Sequence, residues 1–192
     1  MSRRNVKGGL ALGLCLAAVA SAQPAPVRFD AVAINISNVG RSGLGTLDIR
    51  IDRWTTPEEL GTLRDALLEK GSDGLLRAMQ DVKKVGSIRS TSGGLGWDIQ
   101  FAQWTELPGG GHRVVFATDR PMSLAERVNQ PRTADYEFLA AEMRIGPDGK
   151  GEGKLVPMAK ITYNKGSRAI EVENYANEPV RLTKVTEKRE GL

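Results

Sequence analysis

Residues 46–60 read TLDIRIDRWTTPEEL and set two structural periods end to end. In the first half, Leu47, Ile49 and Ile51 alternate with Asp48, Arg50 and Asp52. A period of two places the apolar residues on one face of a strand and the charges on the other, as in an antiparallel sheet with one wet face. In the second half, Thr56-Pro57-Glu58-Glu59 has capping-box spacing. Its proline falls at the first helical position, where a missing N–H costs nothing. A strand therefore ends near Trp54 and a helix starts at Pro57.

Outward from this junction, Leu60, Leu63, Leu67 and Leu68 recur at helical spacing, and Lys70-Gly71 supplies a stop. Ser72 then caps a second helical piece carrying Leu75, Leu76, Met79 and Val82. The expectation is a two-helix insertion over residues 57–82 that lies across a sheet or closes one end of it. Its apolar stripe packs a core or forms a lid over a pocket. Upstream, the QPAP segment at 23–26 reads as a loose terminus. Residues 27–36 read as a strand in which Val32, Ile34 and Ile36 alternate with Ala31, Ala33 and Asn35.

Downstream the chain is a series of short strands parted by turns. Trp97, Ile99 and Phe101 alternate, and Trp104 falls out of phase, marking the other face or a bulge. Val114 and Phe116 share a face, as do Leu139, Ala141, Met143 and Ile145. Pro147-Asp148-Gly149 is a turn signal leading to Leu155, Ala159 and Ile161. Residues 169–175 and 180–185 make a last pair, and the charged tail from Thr186 reads as frayed. The fold class expected is mainly β (α+β). It is a single antiparallel, strongly curved sheet, barrel or sandwich, of about nine strands with a two-helix insertion.

Residues 1–22 carry Arg3, Arg4 and Lys7, an apolar run over residues 10–20 and an Ala20-Ser21-Ala22 cleavage pattern. This predicts a cleaved signal peptide, with one domain over residues 23–192 and a periplasmic or secreted location. The run is short for a membrane anchor, so no transmembrane anchor is expected after cleavage. Leu14 stands before Cys15 where a lipobox carries a small residue, which argues against lipidation. The full chain has 27 basic and 23 acidic residues. Without Arg3, Arg4 and Lys7, 24 basic residues face 23 acidic ones, a net charge of +1. That balance argues against a nucleic-acid partner. Cys15 is the sole cysteine, so the mature domain is held by its core without disulfides.

A single histidine, His112, beside three glycines, excludes a zinc site built on several histidines and reads as an exposed loop residue. No G-x-S-x-G elbow, P-loop or dinucleotide fingerprint is present, and Lys150 spoils a calcium-loop reading of Asp148 to Glu152. No catalytic set, cofactor or metal site is therefore expected. Asp48 and Asp52 flank Arg50 as a solvated charge ladder.

The long connection at 119–135, DRPMSLAERVNQPRTAD, is the exception among short turns. It places Asp119-Arg120 and Arg132 beside prolines. The binding residues expected are Arg120, Arg132 and Asp119, with Trp97 and Trp104 as an aromatic wall. Arginine here suits a carboxylate or phosphate, so a small anionic or amphipathic ligand, or an envelope partner, is expected. The competing account has Asp119, Glu126 and Asp135 neutralising the arginines in place.

The stretches GTLDIRIDRW, LGWDIQFA, RVVFATDRPMS, PRTADYEF and MRIGPDGKGEGK resemble uncharacterised exported bacterial proteins. That resemblance implies export and a single domain, and carries no activity or site. The function expected is a non-catalytic binding or interaction module of the cell envelope. The alternative is a carboxylate-based hydrolase acting on an envelope polymer.

Overall fold

The chain is described here by a computed structural model covering residues 24–37, 43–93, 96–120, 136–166, 169–176 and 178–189. Its elements run β1 (Val27–Asn35), β2 (Gly43–Ile51), α1 (Pro57–Asp81), β3 (Gly86–Ser90), β4 (Trp97–Ile99) and β5 (Phe101–Glu106). After these come β6 (His112–Thr118), β7 (Phe138–Ile145), β8 (Lys150–Asn164), β9 (Ala169–Asn174) and β10 (Val180–Arg189). The strands form one sheet in the order β4-β3-β2-β1-β10-β8-β7-β6-β5, with β9 beside β8. Every pairing is antiparallel.

The two ends of this path are neighbours in the chain. Only Gln100 separates β4 from β5; Ile99 pairs with Gly86 of β3, and Phe101 pairs with Ala117 of β6. The Gln100 N–H donates to the Ala117 carbonyl at 3.1 Å. The sheet thus nearly closes on itself. The phase change at Gln100 also explains Trp104. Ile99, Ala102 and Trp104 all pack into the same core, so the strand shifts by one residue between 99 and 102. Trp104 thus faces the other side from Phe101, which packs in a second cluster.

That core is filled by Phe29, Ile49, Ile51, Ile88, Ile99, Phe116, Met143 and Leu182, with Phe29 and Phe116 fully buried. Removing a ring of this kind costs about 3–5 kcal/mol. Leu139, Ala141, Met143 and Ile145 are buried as their alternation predicts. The charge ladder is also as read, since Arg28 grips Asp48 with two nitrogens at 2.8 and 3.1 Å and Arg50 meets Asp52 at 2.6 Å.

A second apolar cluster joins Leu63, Leu67, Leu75 and Met79 of α1 to Ala117, Phe138, Ala159 and Ile161. Ala117 lies near the end of β6 and Phe138 at the start of β7, so the helix covers the end of the sheet where those two strands meet. The capping box forms as read: Glu59 N–H donates to Thr56 Oγ1 at 3.2 Å, and Thr56 N–H to Glu59 Oε2 at 2.9 Å. Helical geometry breaks at Gly71, with φ 68° and ψ −155°, and resumes to Asp81 within the same element. Ser72 does not act as a second cap, because its Oγ has no hydrogen-bond partner among the described residues. Leu60 and Leu68 stay partly exposed, so the buried stripe is narrower than the leucine pattern suggests.

Three strands depart from the expected reading. In β1 the buried residues are Val27, Phe29 and Ala31, while Ile36 is 54% exposed. The inward face is thus opposite to the one marked by Val32, Ile34 and Ile36, because Phe29 anchors the core and small alanines complete its face. In β8, Ala140 faces Val156 while Phe138 faces Ala159, so one extra residue bulges out around Pro157. A bulge is where a strand tolerates proline.

In β10 the register shifts between Leu182 and Val185 against β8 and between Thr183 and Thr186 against β1. Lys184 occupies the left-handed region there, at φ 49°. The segment from Thr186 is not frayed: it continues the strand, with Thr186 opposite Asp30, Glu187 opposite Phe29 and Lys188 opposite Arg28. Lys188 also pairs with Asp30. Thr186 and Lys188 face the wet outer side. The N-terminal segment is tied down too, since Trp54 Nε1 donates to the Pro24 carbonyl at 2.9 Å. Among the described residues no helix is long and apolar enough to cross a membrane.

Candidate functional site

At the end of the sheet away from α1, the β5–β6 loop and the β7–β8 turn lie side by side. Gly111 makes their approach possible. It sits at φ +78°, and a Cβ there would lie 2.3 Å from the Ile145 carbonyl oxygen. The loops are closed by their own amides. Leu107 N–H donates to Gly111, Gly110 to Leu107, Gly146 to Lys150, and Gly149 to Gly146. The Gly149 carbonyl in turn accepts from Glu187 N–H at 2.8 Å, fastening the turn to β10.

Between these loops opens a cleft of about 830 Å³, lined in part by Trp104, Glu106, His112, Pro147 and Glu187. Its size falls within the range of small-molecule sites. One wall is built from three strands. The His112 ring stacks on Trp104 with centroids 5.3 Å apart and planes at 29°. These residues belong to facing strands, since Trp104 pairs with Val114 and His112 with Glu106, which makes them diagonal neighbours. On its other side, His112 Nε2 lies 3.1 Å from Glu187 Oε2, and each side chain is only 6% exposed.

The bulge at Lys184 decides which way Glu187 faces. Leu182 and Val185 are both buried although three positions apart, so the extra residue resets the alternation, and Glu187 follows Val185 on the inner face. Without it, the inner set after Leu182 would be Lys184, Thr186 and Lys188.

Of the described residues expected from the sequence, Trp104 stands apart from Asp119 and Arg120. Trp104 lines the cleft. Trp97 packs half-buried against the main core. Asp119 and Arg120 follow the last residue of β6, whereas His112 is the first, so they stand at the opposite end of that strand. There Asp119 N–H donates to Gln100 Oε1 at 3.1 Å, and Arg120 Nη2 reaches the Gly96 carbonyl at 3.4 Å. Arg132, and most of the long connection, lie outside the described residues.

Two residues that sequence reasoning passed over dominate the cleft. His112 was expected as an exposed loop residue and instead starts β6, buried. The visible signal was its place two residues before Val114 and four before Phe116, in phase with the inward face. Glu187 had no such signal, because the Lys184 bulge breaks the period that would have marked it.

A second hollow, of about 730 Å³, is lined in part by Glu142, Arg144, Glu152, Lys154 and Arg181. Its charges alternate in sign, and Arg144 already meets Glu142 at 3.1 Å. Among the described residues no group of three His, Cys, Asp or Glu is placed to hold a metal ion. Comparison with family models, curated proteins and solved structures finds no match to this chain.

Proposed function

We propose that this chain is an exported, periplasmic or secreted binding module that holds a small ligand in the cleft walled by Trp104, His112 and Glu187. In this reading the nearly closed sheet is a filled barrel rather than a sandwich. The α1 segment works as two helical pieces hinged at Gly71 that stopper one mouth, and the other mouth binds. The observation that carries the reading is the wall formed by the buried His112 and Glu187 side chains and the partly buried Trp104. Core packing alone does not call for a stacked histidine and a carboxylate at the rim of an open cleft. Buried polar groups are costly unless satisfied, and such groups concentrate where a ligand is recognised. Asp119 and Arg120, which follow the far end of β6, belong to a separate anionic-ligand or partner surface.

The test is native mass spectrometry of the untagged mature protein after incubation with a low-molecular-weight extract of the cell envelope. Retained mass in the native protein that disappears in Trp104→Ala supports the cleft. Retention unchanged by that substitution, but lost in Arg120→Ala, moves the site to the other end.

Glu106 and Glu187 on one cleft favour a second reading, the carboxylate-based hydrolase. There Glu106 is the exposed acid and Glu187, held by His112, the base. Turnover of an envelope polymer that is lost in both Glu106→Gln and Glu187→Gln selects it over the binding module.

A further inference from the structure

The charge of the cleft restricts what it accepts. Its lining includes two carboxylates, on Glu106 and Glu187, and no lysine or arginine among the described residues. His112 is the one basic group there, and it faces Glu187. With His112 protonated the pair sums to zero and Glu106 leaves a net negative charge. With His112 neutral, two negative charges remain. The cleft is negative in either state.

The usual backbone route to binding an anion is also narrowed. Loops rich in left-handed glycines bind anions by pointing consecutive N–H groups outward. Here the N–H groups of Leu107, Gly110, Gly146 and Gly149 are all committed to carbonyls within their own loops. What the cleft does offer is carboxylate oxygen, the Gly-rich rim and the indole of Trp104. An aromatic ring beside carboxylates favours an organic cation, which is attracted both by the ring's negative face and by full charges.

We infer that the cleft binds a small organic cation, of the substituted-ammonium class, with Trp104 as the aromatic contact and Glu106 as the charge partner. The assignment rests on the proposed function in taking the cleft as the site, and it reverses the sign of ligand expected from the arginines of the 119–135 connection. Glu187 and His112 form the wall against which the cation is seated. Glu106 is exposed, so its carboxylate meets a ligand without rearrangement of the core.

Because His112 is the sole histidine, its imidazole is a single NMR reporter inside the cleft. The experiment titrates untagged mature protein, at constant ionic strength, with choline, with its neutral isostere 3,3-dimethylbutanol, and with acetate and inorganic phosphate. The expected result is that choline moves the imidazole resonance saturably and binds roughly tenfold tighter than the neutral isostere. Glu106→Gln, which leaves the core untouched, should weaken choline several-fold.

Equal binding of choline and the isostere, or movement caused by the anions alone, overturns the cationic assignment and leaves the cleft as a site. If none of these probes, nor the envelope extract, moves the imidazole resonance, both the cationic assignment and the cleft reading fail. Choline binding indifferent to Glu106→Gln overturns the role given to Glu106.

Discussion

His112 Nε2 and Glu187 Oε2 meet at 3.1 Å although β7 and β8 lie between their strands in the sheet. Such a contact requires the sheet to curve round so that β6 and β10 face each other across its end. The pair therefore ties together two strands that share no backbone hydrogen bonds. Replacing His112 with Ala removes the imidazole stack from Trp104 and the Nε2 contact from Glu187. Removing one member of a buried polar contact costs on the order of 1–3 kcal/mol. Chemical denaturation of His112→Ala should show a loss in that range. The double variant His112→Ala/Glu187→Gln should lose less than the sum of the single changes, and strict additivity would show that the contact carries no energy.

Lys184 stands where glycine is favoured, at φ 49°. A non-glycine residue held in the left-handed region stores about 1 kcal/mol or more. Lys184→Gly should therefore leave stability unchanged or raise it, since relief of strain offsets the added freedom of the unfolded chain. Lys184→Val should lower it, because a β-branched side chain is strained there. Deleting Lys184 should turn Glu187 outward and abolish any response of the His112 resonance to ligand while strand content by circular dichroism persists.

Glu59 shows a clear displacement of its acidity. Its hydrogen bond to the Arg53 guanidinium holds it below the ordinary carboxylate value, helped by the Thr56 backbone N–H, while partial burial opposes the shift. A carboxyl group with a depressed folded value stabilises the protein above its unfolded value, and that stability is lost as pH falls through the folded one. Melting temperature should accordingly drop on the acid side of about pH 4.5. Glu59→Gln should flatten that acid limb. Thr56→Ala, which removes the reciprocal cap, should cost about 1 kcal/mol near neutral pH.

Gly111→Ala tests the packing of the two loops. Its Cβ would collide with the Ile145 carbonyl at 2.3 Å, and its φ of +78° disfavours any side chain. The variant should be destabilised by several tenths to a few kcal/mol, as residues forced into such backbone regions usually are. Its cleft should also lose ligand response before the core unfolds, which His112 NMR would report separately from global melting.

The parts of this fold legible in the sequence are those where an unbroken period runs between a clear start and stop. Leu47 to Ile51, Leu139 to Ile145 and the Thr56–Glu59 cap lie in such stretches, and each is found as read. The misread parts sit at phase breaks. In β1, Val32, Ile34 and Ile36 formed the more visible apolar set, but Phe29 decides the inward face, and a lone large ring outweighs three peripheral aliphatics. In β10, one residue in the left-handed region exchanges the two faces, so a buried Glu187 looks like one more charge in a charged tail. No local pattern announces such a bulge when lysine rather than glycine occupies it. The site is legible only in the fold, since Trp104, His112 and Glu187 come from β5, β6 and β10.

The most direct test of the account is the imidazole resonance of His112 in the untagged protein, followed as a low-molecular-weight envelope extract is added. The account predicts that the resonance moves and saturates in the native protein and stays fixed in Trp104→Ala, with both proteins folded. A resonance that stays fixed in the native protein while native mass spectrometry shows bound small-molecule mass would contradict it.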